Sequence, residues 1–466
     1  MQILVVVGFV VVMAMMPIEA PAAWWLPVVG AVGYVAVAYP LTRLVVLLGM
    51  KRVMGSGSAR GWLGRAAAVL AVGTQVYLVA GLAALMACGW GGVVDGTFRL
   101  GRVPLLGKVL AMAPFVAALM LHWWAIGPLD QAMRIRLGQD QALMGRPVLP
   151  CWSRRQHLSF HVRHSLLFIA IPAAAIVLVL DSLDLAERAG WINGTASVAA
   201  AVTACAAVFT AAPMAIVRVW RASPLPSGPL RASLEAACRA LRLKVRDIMV
   251  WRTGGVVANA GVMGLAGPVR YVLLSDALLA ALDEDQVRAI FAHEAGHVVH
   301  RHIPYMALFT VAAMTVLWSS AEAVAGWLWP DGPPLAAEAL AVPLVGAAWM
   351  LAFGALSRRF ERQADVFAAA SASGEGPAEA PGLSARGVEV FSNALIEVAR
   401  LNAISLDQRN FRHGSIRGRM GYVSGLLARG AGPAVVDRRV ALIKAGIWAL
   451  LAVGIALAAG HHLAAG

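Results

Sequence analysis

The sequence predicts a mainly α-helical, polytopic membrane protein with a small α+β domain outside the bilayer. Three observations predict it. Of 466 residues, 60% are hydrophobic and only 14% charged, where a soluble chain is nearer half apolar and a quarter charged. The apolar residues gather into runs long enough to cross a bilayer. Between two of those runs lies FAHEAGHVVHRH, from Phe291 to His302, which holds four of the eleven histidines.

About nine candidate spans follow one another: 3–18, 24–48, 66–88, 103–127, 165–181, 195–219, 303–328, 336–356 and 440–460. The first is short. It lacks a basic start, and Pro21 follows its best small-residue cleavage position, so a retained span is expected and not a leader. Trp24, Trp25, Trp123, Trp124, Trp327 and Trp329 stand at span ends, where indole rings prefer the interface. Loop charges orient the set. Lys51, Arg52, Arg60 and Arg65 follow the second span, and Arg134, Arg136, Arg146, Arg154, Arg155 and Arg163 follow the fourth. The loop DSLDLAERAG is net acidic and WPDGPPLAAEA has no base. The positive-inside rule then puts the N-terminus and both long hydrophilic segments in the cytoplasm and the C-terminus outside. The net charge of +14 reads as topology, not as affinity for nucleic acid. Arginine greatly outnumbers lysine, which suggests a GC-rich, bacterial genome and so a bacterial cytoplasmic membrane. Cys88, Cys151, Cys205 and Cys238 are scattered, which supports neither a disulfide framework nor a cysteine metal site.

The expected organisation is an N-terminal membrane domain of about six spans over 1–220, a hydrophilic segment over 221–302, a transmembrane hairpin over 303–356, a second hydrophilic segment over 357–438, and a C-terminal span and tail over 439–466. In the first segment SPLPSGP stops the preceding span. An amphipathic helix, LRASLEAACRALRL, precedes the strand-like runs DIMVWRT, VVANAGVMGL and RYVLL, with turn signals at Gly254-Gly255 and Gly267-Pro268. Asp283 is a good N-cap with Gln286 placed to bond back, so a helix is expected from Glu284 through His302. The second segment continues from the hairpin as the helix SRRFERQADVFAAA. A loop, SGEGPAEAPG, and an amphipathic helix, VEVFSNALIEVARL, follow.

HEAGH is His293-Glu294-Ala295-Gly296-His297. Residues four apart share one helical face, so two imidazoles can bind one ion while the adjacent glutamate reaches a water on it. Composition alone would produce HExxH roughly 0.007 times in such a chain. A catalytic zinc takes three protein ligands and keeps a fourth position open. Glu361 in SRRFERQAD is the best third ligand, and Asp365, four residues on, is placed to orient a ligand histidine. His297 stands roughly 15 Å from the apolar start of its span and Glu361 roughly 8 Å past the end of the next, so the two helices can meet just above the membrane.

These motifs resemble the integral-membrane HExxH metallopeptidases that include the type I CAAX prenyl protease and the heat-shock protease HtpX. The resemblance covers roughly Leu230 to Tyr422. It rests on Asn259-Ala260, on VLLSDALLAAL leading into AHEAGH, on SRRFERQAD, and on RHGSIRGR, where His413 and Arg419 keep the family spacing. It implies a zincin-like catalytic domain with one Zn2+ held by His293, His297 and Glu361, and with Glu294 as general base. It further implies that Asn259 and Ala260 lie on an edge strand that pairs with extended substrate, and that His413 and Arg419 lie near the oxyanion. In that chemistry zinc activates water, and Glu294 takes the water proton and passes it to the leaving amine. The sequence departs in having Gly414-Ser415 where relatives usually carry proline, and in its six preceding spans.

The expectation is a membrane-embedded zinc endopeptidase that cleaves membrane proteins or membrane-proximal peptides. One alternative is a CAAX-type C-terminal processing protease. Others are an inactive substrate-binding homologue and a membrane scaffold or transporter with a structural zinc. The expected partners are substrate and lipid bilayer, and the sequence is silent on oligomeric state. His157, His161 and His164 in HLSFHVRH are expected on an interfacial helix against anionic headgroups, with a metal site as the lesser alternative. His300 and His302 are expected to be solvated or headgroup-facing.

Overall fold

The computed structural model describes residues 2–54, 59–143, 150–328, 334–373, 382–402 and 404–465. The chain packs as two compact units, one of Met1–Ser223 with Trp251–Val256 and Gly264–Val269, the other of Pro224–Val250 with Val257–Met263 and Arg270–Gly466.

The first unit is helical: α1 (Gln2–Met15), α2 (Trp25–Met54), α3 (Ala59–Ala87), the short turn α4 (Trp90–Gly92), α5 (Leu106–Leu143), α6 (Arg154–His161), α7 (Leu167–Arg188) and α8 (Gly194–Val219). Helix α2 packs on both α3 and α5, and Leu78, Leu82, Met86, Phe115, Leu119 and Trp123 are buried there. Lipid tails are as apolar as leucine, so packing and buried polar contacts must hold such helices together. Here Tyr34 donates to the Leu78 carbonyl at 2.6 Å, and Thr42 Oγ1 lies 2.9 Å from His122 Nδ1.

The histidines of HLSFHVRH differ from expectation. His157 and His164 are buried, in a stripe of aromatic rings that includes Trp152 and Phe160. His164 Nδ1 donates to the Phe160 carbonyl at 2.9 Å, which leaves Nε2 to accept the Trp251 indole N–H at 2.7 Å. Around His164, rings of Trp220 and Trp251 from distant parts of the chain join the local Phe160 in place of headgroups. The lesser alternative gains nothing, since among the described residues these histidines form no metal-capable group.

Seven helices, among the described residues, are long and apolar enough to cross a membrane: Trp25–Val53, Ala66–Ala87, Leu106–Arg136, Arg154–Arg188, Gly194–Val219, His302–Leu328 and Pro433–Leu457. The first expected span, α1, is apolar but only 14 residues long. Part of the eighth expected span, and the turn 329–333 before it, lie outside the described side chains.

The second unit begins with β1 (Ser223–Pro224), α9 (Pro229–Ala240), β2 (Asp247–Trp251), β3 (Ala260–Met263) and β4 (Tyr271–Ser275). It continues with α10 (Asp276–Ala281), α11 (Glu284–Val299), α12 (His302–Leu328), α13 (Pro334–Ser371), α14 (Ala385–Leu401), α15 (Ile416–Ala428) and α16 (Pro433–Ala465). The sheet order is β1-β2-β4-β3, so β3 is an edge strand, antiparallel to β4 with Ala260 opposite Leu274. Asn259 precedes β3 by one residue. Its carbonyl accepts from Ser275 N and its N–H donates to Ser275 Oγ, both at 2.9 Å. Most of the expected loop SGEGPAEAPG, residues 374–381, lies outside the described residues.

Helix α11 starts as the sequence predicts, with Asp283 Oδ1 accepting from Gln286 N at 2.8 Å and Gln286 Oε1 accepting from Asp283 N at 3.3 Å. It does not run to His302. It ends at Val299, Arg301 takes a left-handed φ of 55°, and α12 starts at His302. That break redirects the chain. Gly296 explains the close approach of α11 to α13, because a Cβ there would lie 3.2 Å from Phe367 Cδ1 and 3.4 Å from Ala364 Cα.

Candidate metal centre

Helix α11 presents His293, Glu294 and His297, and α13 presents Glu361 and Asp365. One ligand atom each from His293, His297 and Glu361 lie within 4.8 Å of one another. The two Nε2 atoms are 3.4 Å apart, and each is 3.6 Å from a Glu361 oxygen. Tetrahedral ligands 2.0–2.1 Å from zinc stand roughly 3.3 Å from one another, so this spacing fits that ion. Glu361 Oε2 is buried without a hydrogen-bond partner. A buried carboxylate oxygen in that state is unfavourable, and a cation among the three ligand atoms would satisfy it. The donor set, two imidazoles and a carboxylate, is one of the catalytic zinc sets.

His293 Nδ1 lies 3.0 Å from Asp365 Oδ1, so it donates there and keeps Nε2 free for the cluster. Arg419, from α15, binds the same carboxylate through Nε and Nη2, at 3.0 and 2.5 Å. Its Nη2 is 3.5 Å from His293 Nδ1 and 4.0 Å from Glu361 Oε2. Arg419 is thus committed to Asp365 behind the ligands. His413 Nδ1 is 2.9 Å from Glu361 Oε1. Its loop is closed by two Asn410–Gly414 backbone bonds of 2.9 Å, with Gly414 at φ +75°. Proline, held near −65°, is incompatible with that φ, which accounts for glycine at this position. A cavity of about 630 Å³ opens beside the cluster, lined by Arg358, Glu361, Arg409, Phe411 and His413 among others.

The charges are strongly coupled. Burial disfavours the imidazolium of His293, yet Asp365 and Glu361 outweigh burial and raise it to about 9. Burial and then the charge on His293 depress His297 to about 3. Burial pushes Glu361 up, but His293 and His413 hold it below the carboxylate range. Burial likewise works against Asp365, and Arg419 with His293 holds it down. Glu294 keeps a little open surface but sits deep among protein atoms. Burial raises its carboxyl, His293 opposes, and Glu361 adds to the rise. The carboxylates therefore demand positive charge among them, which a proton on His293 or a divalent cation can supply. A metal must displace that proton below about pH 9. Zinc affinity is expected to fall roughly tenfold per unit as the pH drops from about 9 to 6. Competition against a chelator of known pH dependence checks this, and a flat profile would contradict it.

Sequence reasoning misplaced one neighbour. His302 has 0% of its surface exposed, and its Nδ1 is 2.9 Å from His297 Nδ1. His300 is half-buried and stacks on it at 5.7 Å. The break at Arg301 turns His302 inward, where a continuous helix would carry it off the ligand face. Asn402, also unforeseen, supports the edge strand: its Nδ2 donates to the Ala258 carbonyl at 2.7 Å and its Oδ1 accepts from Ala258 N at 3.2 Å.

Residues 224–385 match the family model described as Peptidase family M48. That stretch contains His293, Glu294, His297 and Glu361 and ends before His413 and Arg419. The chain is 27% identical over 161 residues to the CAAX prenyl protease 1 homolog of Arabidopsis thaliana, which covers 31% of this chain and 37% of that protein. It is 30% identical over 168 residues to the Protease HtpX homolog of Aeropyrum pernix, covering 34% of this chain and 50% of that protein. The matches thus span half or less of these curated relatives. Among solved structures, S. mikatae Ste24p is similar with a TM-score of 0.49 and 14% identity, over 87% of this chain and all of that one. Residues 224–385 carry a peptidase M48 domain, in a chain with several membrane-length helices.

Proposed function

We propose that this protein is a membrane-embedded zinc endopeptidase that cleaves membrane proteins or membrane-proximal peptide segments on the cytoplasmic side. The observation that carries the reading is the convergence of His293, His297 and Glu361 within 4.8 Å, with Glu294 on the same helix beside them.

Zinc held there supplies a Lewis acid that makes water acidic enough to react near neutral pH. The chain's own residues do the rest. Asp365 orients His293, and Arg419 keeps Asp365 ionised. Glu294, its carboxyl raised by burial, accepts the proton of the attacking water and delivers it to the amine nitrogen that leaves. His413, half-exposed toward the cavity, is placed to donate to the oxygen of the tetrahedral carbon. The edge strand β3 packs beside α11, so an extended peptide added there runs past the cluster.

Proteolytic quality control or regulated processing is the role we favour, because the site stands within a few turns of the membrane-length helix α12. A CAAX-type C-terminal processing activity is the same-class alternative. The scaffold with a structural zinc fits less well. Structural sites close their fourth position with protein, and among the described residues the metal-capable group has three members. The purified full chain in lipid nanodiscs is expected to hydrolyse unstructured peptides, to lose that activity on chelation, and to regain it with zinc. Equal hydrolysis before and after chelation would overturn the proposal.

A further inference from the structure

Behind His297 lies a line of buried and partly buried polar side chains outside the ligand set. His302 Nε2 is 2.8 Å from Gln363 Oε1, and Gln363 Nε2 donates to Asp437 Oδ1 at 2.6 Å. With the 2.9 Å contact between His302 Nδ1 and His297 Nδ1, four side chains from α11, α12, α13 and α16 form one line. His302 and Gln363 are 0% and 3% exposed. The ring of His302 is stacked on Phe360, with centroids 4.3 Å apart and planes 5° from parallel, so it cannot turn away.

The hydrogens in this line follow from its far end. An ionised carboxylate only accepts, so Asp437 fixes the Gln363 amide with its nitrogen outward and its oxygen toward His302. That oxygen also only accepts, so His302 carries its hydrogen on Nε2. A neutral imidazole then has a bare Nδ1, which must accept from His297 Nδ1–H. His297 is left with an unprotonated Nε2 aimed at the ligand cluster.

We propose that His302, Gln363 and Asp437 form a positioning relay that sets the tautomer of His297, so that the apolar C-terminal helix α16 anchors the metal site through Asp437. Metal-ligating histidines generally need such a partner on their other nitrogen, and its loss costs about 10–100-fold in metal affinity. His293 obtains the same support from Asp365 within a few ångströms. His297 obtains it from α16, three side chains away. The inference rests on the proposed metal site, because the relay matters only if His297 is a ligand.

The test is zinc affinity of the full chain in nanodiscs, by chelator competition, together with thermal unfolding. Gln363→Leu and Asp437→Leu are expected to bind zinc about 10–100-fold more weakly. Asp437→Asn, which still offers an oxygen to Gln363, is expected to stay within a few-fold of the wild type. Ser371→Ala, a polar loss elsewhere on α13, is expected to leave affinity unchanged. Folded leucine variants that bind zinc as tightly as the wild type would overturn the relay alone. A wild-type chain that binds no zinc would overturn the metal site and the relay with it. If the leucine variants do not fold, histidine 15N spectra of the wild type decide: the relay requires His302 protonated on Nε2 and bare on Nδ1, and the opposite tautomer refutes it.

Discussion

Glu294→Gln is expected to hold zinc as the wild type does and to lose on the order of a thousandfold in peptide hydrolysis, a loss within the range for a positioned general base. The substitution preserves size and removes only the ability to accept a proton. His293, His297 and Glu361 are not altered, so zinc content and its pH dependence are expected to persist. The environment already favours proton acceptance, because burial and the nearby Glu361 raise the Glu294 carboxyl while His293 restrains it. Zinc content and peptide turnover measured on the same preparation separate the candidate functions. Retained zinc with lost turnover supports the peptidase. Retained zinc with unchanged turnover means that Glu294 is not the base, and zinc without turnover in either the wild type or the variant points to the structural-zinc scaffold, in which Glu294 is dispensable.

Arg419→Ala is expected to destabilise the second unit by about 3–5 kcal/mol, the usual result of removing one partner from a buried ion pair. Asp365 is 0% exposed and receives two arms of the Arg419 guanidinium. Without them it is an uncompensated buried charge beside the His293 ligand. Thermal unfolding of the variant checks the loss. The double variant Arg419→Leu with Asp365→Asn removes both charges while leaving an oxygen for His293 Nδ1–H, and is expected to regain much of the stability. Its activity distinguishes two roles. Recovery along with stability means that Arg419 acts by holding Asp365. Activity that stays lost in a stable double variant means that the guanidinium also serves the oxyanion, as the family resemblance implies.

Much of this was legible from local pattern. The HExxH spacing requires only that its segment be helical, and the Asp283–Gln286 capping box fixes where that helix starts. Membrane length and hydropathy are likewise local, so seven of the nine expected spans recur among the described residues as helices of membrane length, three of them (66–88, 195–219 and 303–328) within one residue of their expected bounds. The strand runs are legible locally, but the edge placement of β3 was only what the family resemblance implied, since it depends on the non-sequential pairing of β2 with β4. Gly414, a departure from the family pattern, makes sense only once its positive φ is known.

What the tertiary structure decided is which polar groups are buried and against what. His302 reads as a solvated residue as long as α11 is taken to continue, and the left-handed Arg301 that ends the helix leaves no periodic signal. Its partners, Gln363 and Asp437, stand 61 and 135 residues further along the chain, on helices whose faces can be matched only after they pack. His157 and His164 likewise look interfacial beside their arginines, until aromatic rings from Trp152, Trp220 and Trp251 enclose them. A buried imidazole nitrogen is unfavourable without a partner, and for His302 Nε2 and His164 Nε2 that partner comes from a distant segment. Sequence by itself determined that side chains able to bind a metal share one helical face close to an apolar run of membrane length. Only the folded chain decided which neighbours set their charge and their tautomers.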